Sequence, residues 1–124
     1  MTNSATASPV PRILVFDSGV GGLSVAQEIQ QRLPLNPLVY ASDNAFFPYG
    51  TKGEAELIAR VDMVISELLK RYPADILVIA CNTASTLTLP HLRSKLNLPI
   101  VGVVPAIKPA ALMSKTKVIG LLAT

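Results

Sequence analysis

One cysteine, Cys81, and one histidine, His91, are the only thiol and imidazole in 124 residues. A lone thiol cannot close an intrachain disulfide, which fits a reducing cytoplasm, and with a single imidazole it cannot build a Cys/His metal cluster. No metal site is expected. Basic residues are scattered (Arg60, Lys70, Arg71, Arg93, Lys95), no basic run is interleaved with aromatics, and the formal charge is only +3, so nucleic acid is not an expected partner. No apolar run approaches the length that spans a bilayer, and residues 1–11 lack the basic start and apolar middle of a secretory leader. These absences predict a soluble, unsecreted, cytoplasmic chain with no membrane partner. Internal repeats and low-complexity segments are also missing.

What is present is apolar and punctuated. Half of the residues are hydrophobic, and the length suits one core rather than two. Residues 1–11, rich in Ser, Thr, Ala and Pro, are expected to form a loose, disordered tail. Ile13 to Phe16 reads as a short buried strand ending in Asp17-Ser18-Gly19-Val20-Gly21-Gly22, whose glycines permit backbone angles and close approaches that side chains forbid. Leu23, Ala26, Ile29, Gln30 and Leu33 then recur at helical spacing, closed by Pro34 and Pro37. Leu38 to Ala41 is the second strand. The loop Ala45 to Gly50 is unusually aromatic, which suits either a lid or interface, or packing against a neighbouring loop. Thr51 and Glu54 have capping-box spacing, with Leu57, Val61, Val64, Ile65, Leu68, Leu69 and Tyr72 on one apolar face behind them.

Ile76 to Ile79 is an unbroken apolar run, as expected of a parallel strand covered on both faces, and the polar group Cys81, Asn82, Thr83 and Ser85 follows it abruptly. A helix beginning near Thr83 brings its unpaired N–H groups beside the sulfur and offers a seat to an anion. Pro90 is expected to kink, break or restart that helix. Ile100 to Val104 reads as a fourth strand, Ala106 to Ser114 as a short helix interrupted by Pro109, and Val118 to Ala123 as a fifth strand. Strand and helix alternate throughout, which predicts an α/β fold: a parallel sheet with helices on both faces, a Rossmann-like three-layer arrangement. In such a sheet the loops after strands one, two and three share one rim, so Asp17-Ser18, Asp43-Asn44 and Cys81-Asn82-Thr83 are expected to be neighbours.

A thiol, a carboxylate, short hydroxyl and amide groups and a glycine-rich turn suit a small substrate bearing opposite charges. Asp17 can hold an ammonium or orient a proton transfer, while Asn82, Thr83 and the helix start can hold a carboxylate. Cys81 is then a base or a nucleophile, and its structural alternative is a small buried hydrophobe. For Asp17 and Ser18 the alternative is turn-making before a helix. A dinucleotide site also has support, because Gly19-x-Gly21 follows a strand and Asp43 ends the second strand where a ribose-binding acid belongs. Ser24 at the third glycine position and the charge of Asp17 count against it. A nucleoside triphosphate loop lacks its Lys-Ser or Lys-Thr pair, and a cysteine phosphatase lacks its arginine between Ala84 and Pro90. A Cys–His hydrolase needs its imidazole beside the sulfur, yet His91 lies about 15 Å along the helix, where a surface or helix-capping role fits it better.

Four stretches carry a resemblance. Asp17-Ser18-Gly19-x-Gly21-Gly22-Leu23-Ser24, Asp43 with Pro48-Tyr49-Gly50, Cys81-Asn82-Thr83-Ala84-Ser85, and Val101-Gly102-Val103-Val104-Pro105-Ala106 stand in the order of the glutamate racemases, and the chain resembles their N-terminal portion. The related aspartate racemases share the cysteine motif but not the Asp-Ser-Gly opening. The resemblance implies cofactor-independent interconversion of L- and D-glutamate, supplying D-glutamate for peptidoglycan, with neither metal nor pyridoxal phosphate. It assigns Cys81 as one of two cysteines exchanging a proton at Cα, Asp17 as its assistant, and Asp17, Ser18, Tyr49, Gly50, Asn82 and Thr83 as substrate contacts. It also leaves room for a homodimer. Complete members are longer and carry a second α/β half with the opposite cysteine. Residues 12–108 are therefore expected to form most of a first domain and 109–124 the start of a second, so the chain alone is expected to be inactive, a fragment or the product of a truncated gene. A sheet edge and apolar helix faces should be left uncovered. Two alternatives from other classes are a self-associating non-catalytic fragment and a dinucleotide-binding module.

Overall fold

The computed structural model describes residues 10–123, so the tail expected over 1–11 falls mostly outside the described residues. Among these, four parallel strands form one sheet: β1 (Ile13–Asp17), β2 (Leu38–Ser42), β3 (Ile76–Ile79) and β4 (Ile100–Gly102). Their order is β2-β1-β3-β4. Ile13 to Asp17 register with Leu38 to Ser42 on one side, and Ile13 to Phe16 with Ile76 to Ile79 on the other. The central pair β1 and β3 is the unalternating apolar part of the sequence, as burial on both faces requires.

Helices cover both faces. α1 (Leu23–Arg32) lies over Ile13, Val15, Val78 and Ala80, contributing Val25, Ala26 and Ile29. α2 (Glu54–Arg71) and α3 (Asn82–Lys95) cover the opposite face, where Leu57, Val61, Ile65, Leu89 and Leu92 pack on Leu14, Phe16, Leu77 and Ile79. The expected α2 stripe holds: Leu57, Val61 and Ile65 are buried and Val64, Leu68 and Leu69 pack half-buried against the same core, while Tyr72 at its end is exposed. Expected α1 positions Leu23 and Leu33 are exposed as well.

Two local expectations are corrected and a third is narrowed. No capping box opens α2: Gly53 is the N-cap, and Thr51 turns its hydroxyl to the Pro48 carbonyl from a short 3-10 turn, Tyr49–Thr51. Pro90 neither breaks nor restarts α3, which runs unbroken from Asn82 to Lys95, because Leu89 and Leu92 on either side are held in the core and packing outweighs the missing N–H. Val118 to Ala123 forms no strand; among the described residues it pairs with no other strand, and the Val118 backbone groups go to the Ser114 and Thr116 hydroxyls instead of a ladder.

β4 is an edge strand, and the helix after it, α4 (Ile107–Met113), has no buried residue. Val101, Val104, Ile107, Leu112, Met113 and Leu122 are exposed. The uncovered apolar edge expected from the sequence is thus present at this end of the sheet.

Candidate active site

The chain reverses its winding direction between β1 and β3, which sends α1 and α3 to opposite faces and opens a crevice at the carboxyl ends of those two strands. β1 delivers Asp17 to that point and β3 delivers Cys81. An open cleft of about 780 Å³ lies there, and Asp17, Ser18, Tyr49, Gly50, Cys81, Asn82 and Thr83 all border it. Every residue singled out from the sequence as catalytic or substrate-binding therefore faces one hollow. A second hollow of about 690 Å³ adjoins it, sharing Gly50, Asn82 and Thr83 and overhung by Leu122 and Ala123.

Cys81 is the N-cap of α3, and its sulfur accepts the Ala84 N–H at 3.4 Å. The side chain also belongs to the core cluster and is 8% exposed, so its small-hydrophobe character and its place at the cleft coexist. Ser18 Oγ lies 3.4 Å from the sulfur. Asp17, only 4% exposed, has its carboxylate surrounded by donors: Ser18 N–H on Oδ1 at 2.7 Å, Gly22 N–H on Oδ2 at 2.6 Å and the Tyr40 hydroxyl on Oδ2 at 3.0 Å. Turn-making and site-building are thus one arrangement here. Burial, and next the Asp17 carboxylate, push the Tyr40 phenol up to about 12.

The glycine turn works by close approach, and no glycine has a positive φ. A Cβ on Gly22 would come within 2.8 Å of Ala80 Cβ and 2.9 Å of Asp17 Oδ2, and one on Gly19 within 3.2 Å of the Phe47 ring. Gly21 meets nothing. The conformational freedom expected of the three glycines is therefore not what the turn uses; it needs the space at Gly22.

The aromatic loop divides its labour. Tyr49 is buried, stacking edge-on to Phe46 and tilted against Phe16, whereas Phe47 is 61% exposed at the cleft. The Tyr49 hydroxyl donates to Asp43 Oδ2 at 2.7 Å, so that hydroxyl is committed inside the protein. Asp43 also takes both arms of Arg60, at 2.8 and 2.6 Å. The guanidinium first, then the Tyr49 hydroxyl, hold the Asp43 carboxyl below its ordinary range. Burial, then Asp43, raise the Tyr49 phenol, and Asp43 raises Arg60 in turn. Asp43 joins the rim through its backbone, its N–H donating to the Asp17 carbonyl, but its side chain turns away to Arg60. The ribose-binding role considered for it is not what this geometry offers.

His91 does not border the cleft; its Nε2 lies 2.7 Å from Asp62 Oδ2, tying α3 to α2, with Lys95 paired to the same carboxylate. Ser85, buried in the cysteine motif, fastens β3 to β4: it donates to the Ile79 carbonyl and accepts from Val103 N–H. Sequence reasoning missed Tyr40, Ser42 and Arg60. A tyrosine inside a short, half-buried strand needs a partner for its hydroxyl, and that need was the available signal for Tyr40.

Comparison with known proteins agrees with the fold. The family model described as Asp/Glu/Hydantoin racemase matches residues 23–124. The chain is 63% identical over 112 residues to a glutamate racemase of Aliivibrio fischeri, covering 90% of this chain and 42% of that protein. Among solved structures, Escherichia coli glutamate racemase in complex with L-glutamate and the activator UDP-MurNAc-ala superposes with a TM-score of 0.81 at 55% identity, covering 87% of this chain and 41% of the other. A glutamate racemase isoform from Bacillus anthracis gives 0.77 at 40% identity, again covering 87% and 41%. The chain thus spans well under half the length of the relatives it matches.

Proposed function

The chain belongs to the Asp/Glu/hydantoin racemase family, and on that premise we propose that it forms one thiol-bearing half of a glutamate racemase site. Cys81, as thiolate, takes the proton from Cα of glutamate on one face and returns it on the reverse reaction. Asp17 assists this transfer and meets the substrate ammonium, while Ser18, Asn82, Thr83 and the backbone at Tyr49-Gly50 contact the rest of the amino acid. The α-proton of an amino acid is a very weak acid, so fixed donors and exclusion of water must stabilise the carbanion-like state. Inversion needs a second proton carrier on the opposite face, and the chain's one cysteine cannot serve both faces.

The observation that carries the reading is the convergence of Asp17, Ser18 and Cys81 on one cleft at the β1–β3 switch point. Supply of D-glutamate for peptidoglycan, a cytoplasmic location, pairing as a homodimer, and a division into a first domain over 12–108 and the opening of a second over 109–124 complete the reading; they come from the family resemblance. The test is a titration of the isotope-labelled chain with L- and D-glutamate, followed by amide NMR, beside a coupled racemisation assay. Shifts confined to Ser18, Gly50, Asn82 and Thr83, without racemisation by this chain alone, are expected. Glutamate shifting these amides no more than acetate does would defeat the reading.

A further inference from the structure

The Asp17 carboxylate is held by two kinds of donor. Ser18 and Gly22 N–H groups belong to its own turn, and they move with it. The third donor, the Tyr40 hydroxyl, comes from β2, a different strand. Tyr40 is not among the residues that border the cleft, so whatever it does there it does through Asp17.

Its hydroxyl has one hydrogen and two acceptors within reach, Asp17 Oδ2 at 3.0 Å and the Gly19 carbonyl at 2.8 Å. Ser42, two residues along the same strand and so on the same face, places its Oγ 2.6 Å from that carbonyl. The Ser42 hydrogen has the Gly19 carbonyl at 2.6 Å and Asn44 Oδ1 at 2.9 Å within reach; given to the nearer, it fills one of the two lone pairs of Gly19, and the charged carboxylate is the stronger acceptor left for the phenol. The high phenol pKa of about 12 keeps Tyr40 a donor across the neutral range.

We propose that Tyr40 is a positioning residue for Asp17, fixing the carboxylate's rotation toward the cleft, and that Ser42 serves it by occupying the Gly19 carbonyl. The inference rests on the glutamate reading for its consequence in binding, and on geometry alone for the contact itself.

Two variants test it in the full chain. Tyr40→Phe keeps the ring and removes the donor; Ser42→Ala keeps Tyr40 but leaves Gly19 to compete for its hydrogen. Expected in Tyr40→Phe are a displaced Asp17 carboxyl carbon resonance, a displaced Gly22 amide proton and glutamate affinity lower by about tenfold, as for loss of a hydrogen bond to a charged group. Ser42→Ala should move the same resonances in the same direction, by less. A merely structural role would lower the melting temperature and leave the Asp17 carboxyl resonance in place. Unmoved resonances in Tyr40→Phe overturn the inference, as does unchanged affinity where the parent chain binds glutamate. Asp17→Asn separates the two levels: if the parent chain does not bind glutamate, the functional reading fails while the resonances still judge Tyr40. If binding needs Asp17 but ignores Tyr40, the inference fails alone.

Discussion

Ser18 Oγ lies 3.4 Å from Cys81 Sγ, joining the turn after β1 to the cap of α3 across the mouth of the cleft. Through the Ser18 N–H, the same residue also holds Asp17. Thiol and carboxylate are thus tied to one intervening residue and present themselves to the same space.

That arrangement makes the sulfur a reporter of occupancy. Because the chain has one cysteine, a single iodoacetamide adduct in the intact mass reports Cys81 alone. Alkylation is expected to proceed from the cleft and to slow in the presence of saturating glutamate. Equal rates with and without glutamate would contradict a shared cleft for sulfur and substrate.

The glycine turn predicts a contrast between neighbours. Gly22→Ala forces a Cβ against Ala80 and Asp17 and should cost about 1–3 kcal/mol, the usual range for overpacking. Gly21→Ala meets open space and should be nearly neutral or slightly stabilising. Urea unfolding of the two variants measures this, and equal losses would show that the turn is constrained by something other than space.

Arg60 and Asp43 make the next case. The carboxylate is buried and held by a two-armed guanidinium, so Arg60→Ala strands a charge and should destabilise by about 3 kcal/mol. Arg60→Lys should recover only part of this, since an ammonium cannot span both oxygens. The resonances of Tyr49 and Gly50 should move in both variants, because Asp43 anchors the Tyr49 hydroxyl. A lysine variant as stable as the parent would rule out the two-armed geometry as the source of stability.

Asp62 links α2 to α3 through Lys95 and His91, and these partners, Lys95 first, bring its carboxyl down to about 2. A carboxyl lowered on folding contributes stability above its ordinary value near 3.8, and that contribution disappears as pH falls toward about 2. Its partners are more than a third exposed, so the contribution should be about 1 kcal/mol. Asp62→Asn should be less stable at neutral pH and show a shallower loss between these two pH values. Parallel acid-unfolding curves for variant and parent would remove Asp62 from the account.

Much of this was open to inspection in the linear chain. Unbroken apolar runs gave β1 and β3, the stripe from Leu57 to Ile65 gave α2, and abrupt polar segments after buried strands gave Asp17, Ser18, Cys81, Asn82 and Thr83. Local signals misled where packing or pairing had the last word. Pro90 is carried through α3 by its buried neighbours, Thr51 does not cap α2, and Val118 to Ala123 has strand-like composition but no strand beside it.

Sequence by itself determined the alternation of strands and helices and the residues offered at the strand ends, because periodicity and punctuation act over a few neighbouring positions. Only the tertiary structure decided what those residues touch. Tyr40 and Ser42 reach Gly19 and Asp17, Arg60 reaches Asp43, and Asp62 reaches His91 across separations with no repeating pattern. Such contacts arise when parallel strands and packed helices bring distant segments into register, and hydrogen-bond geometry, unlike hydrophobic periodicity, leaves no regular trace along the chain.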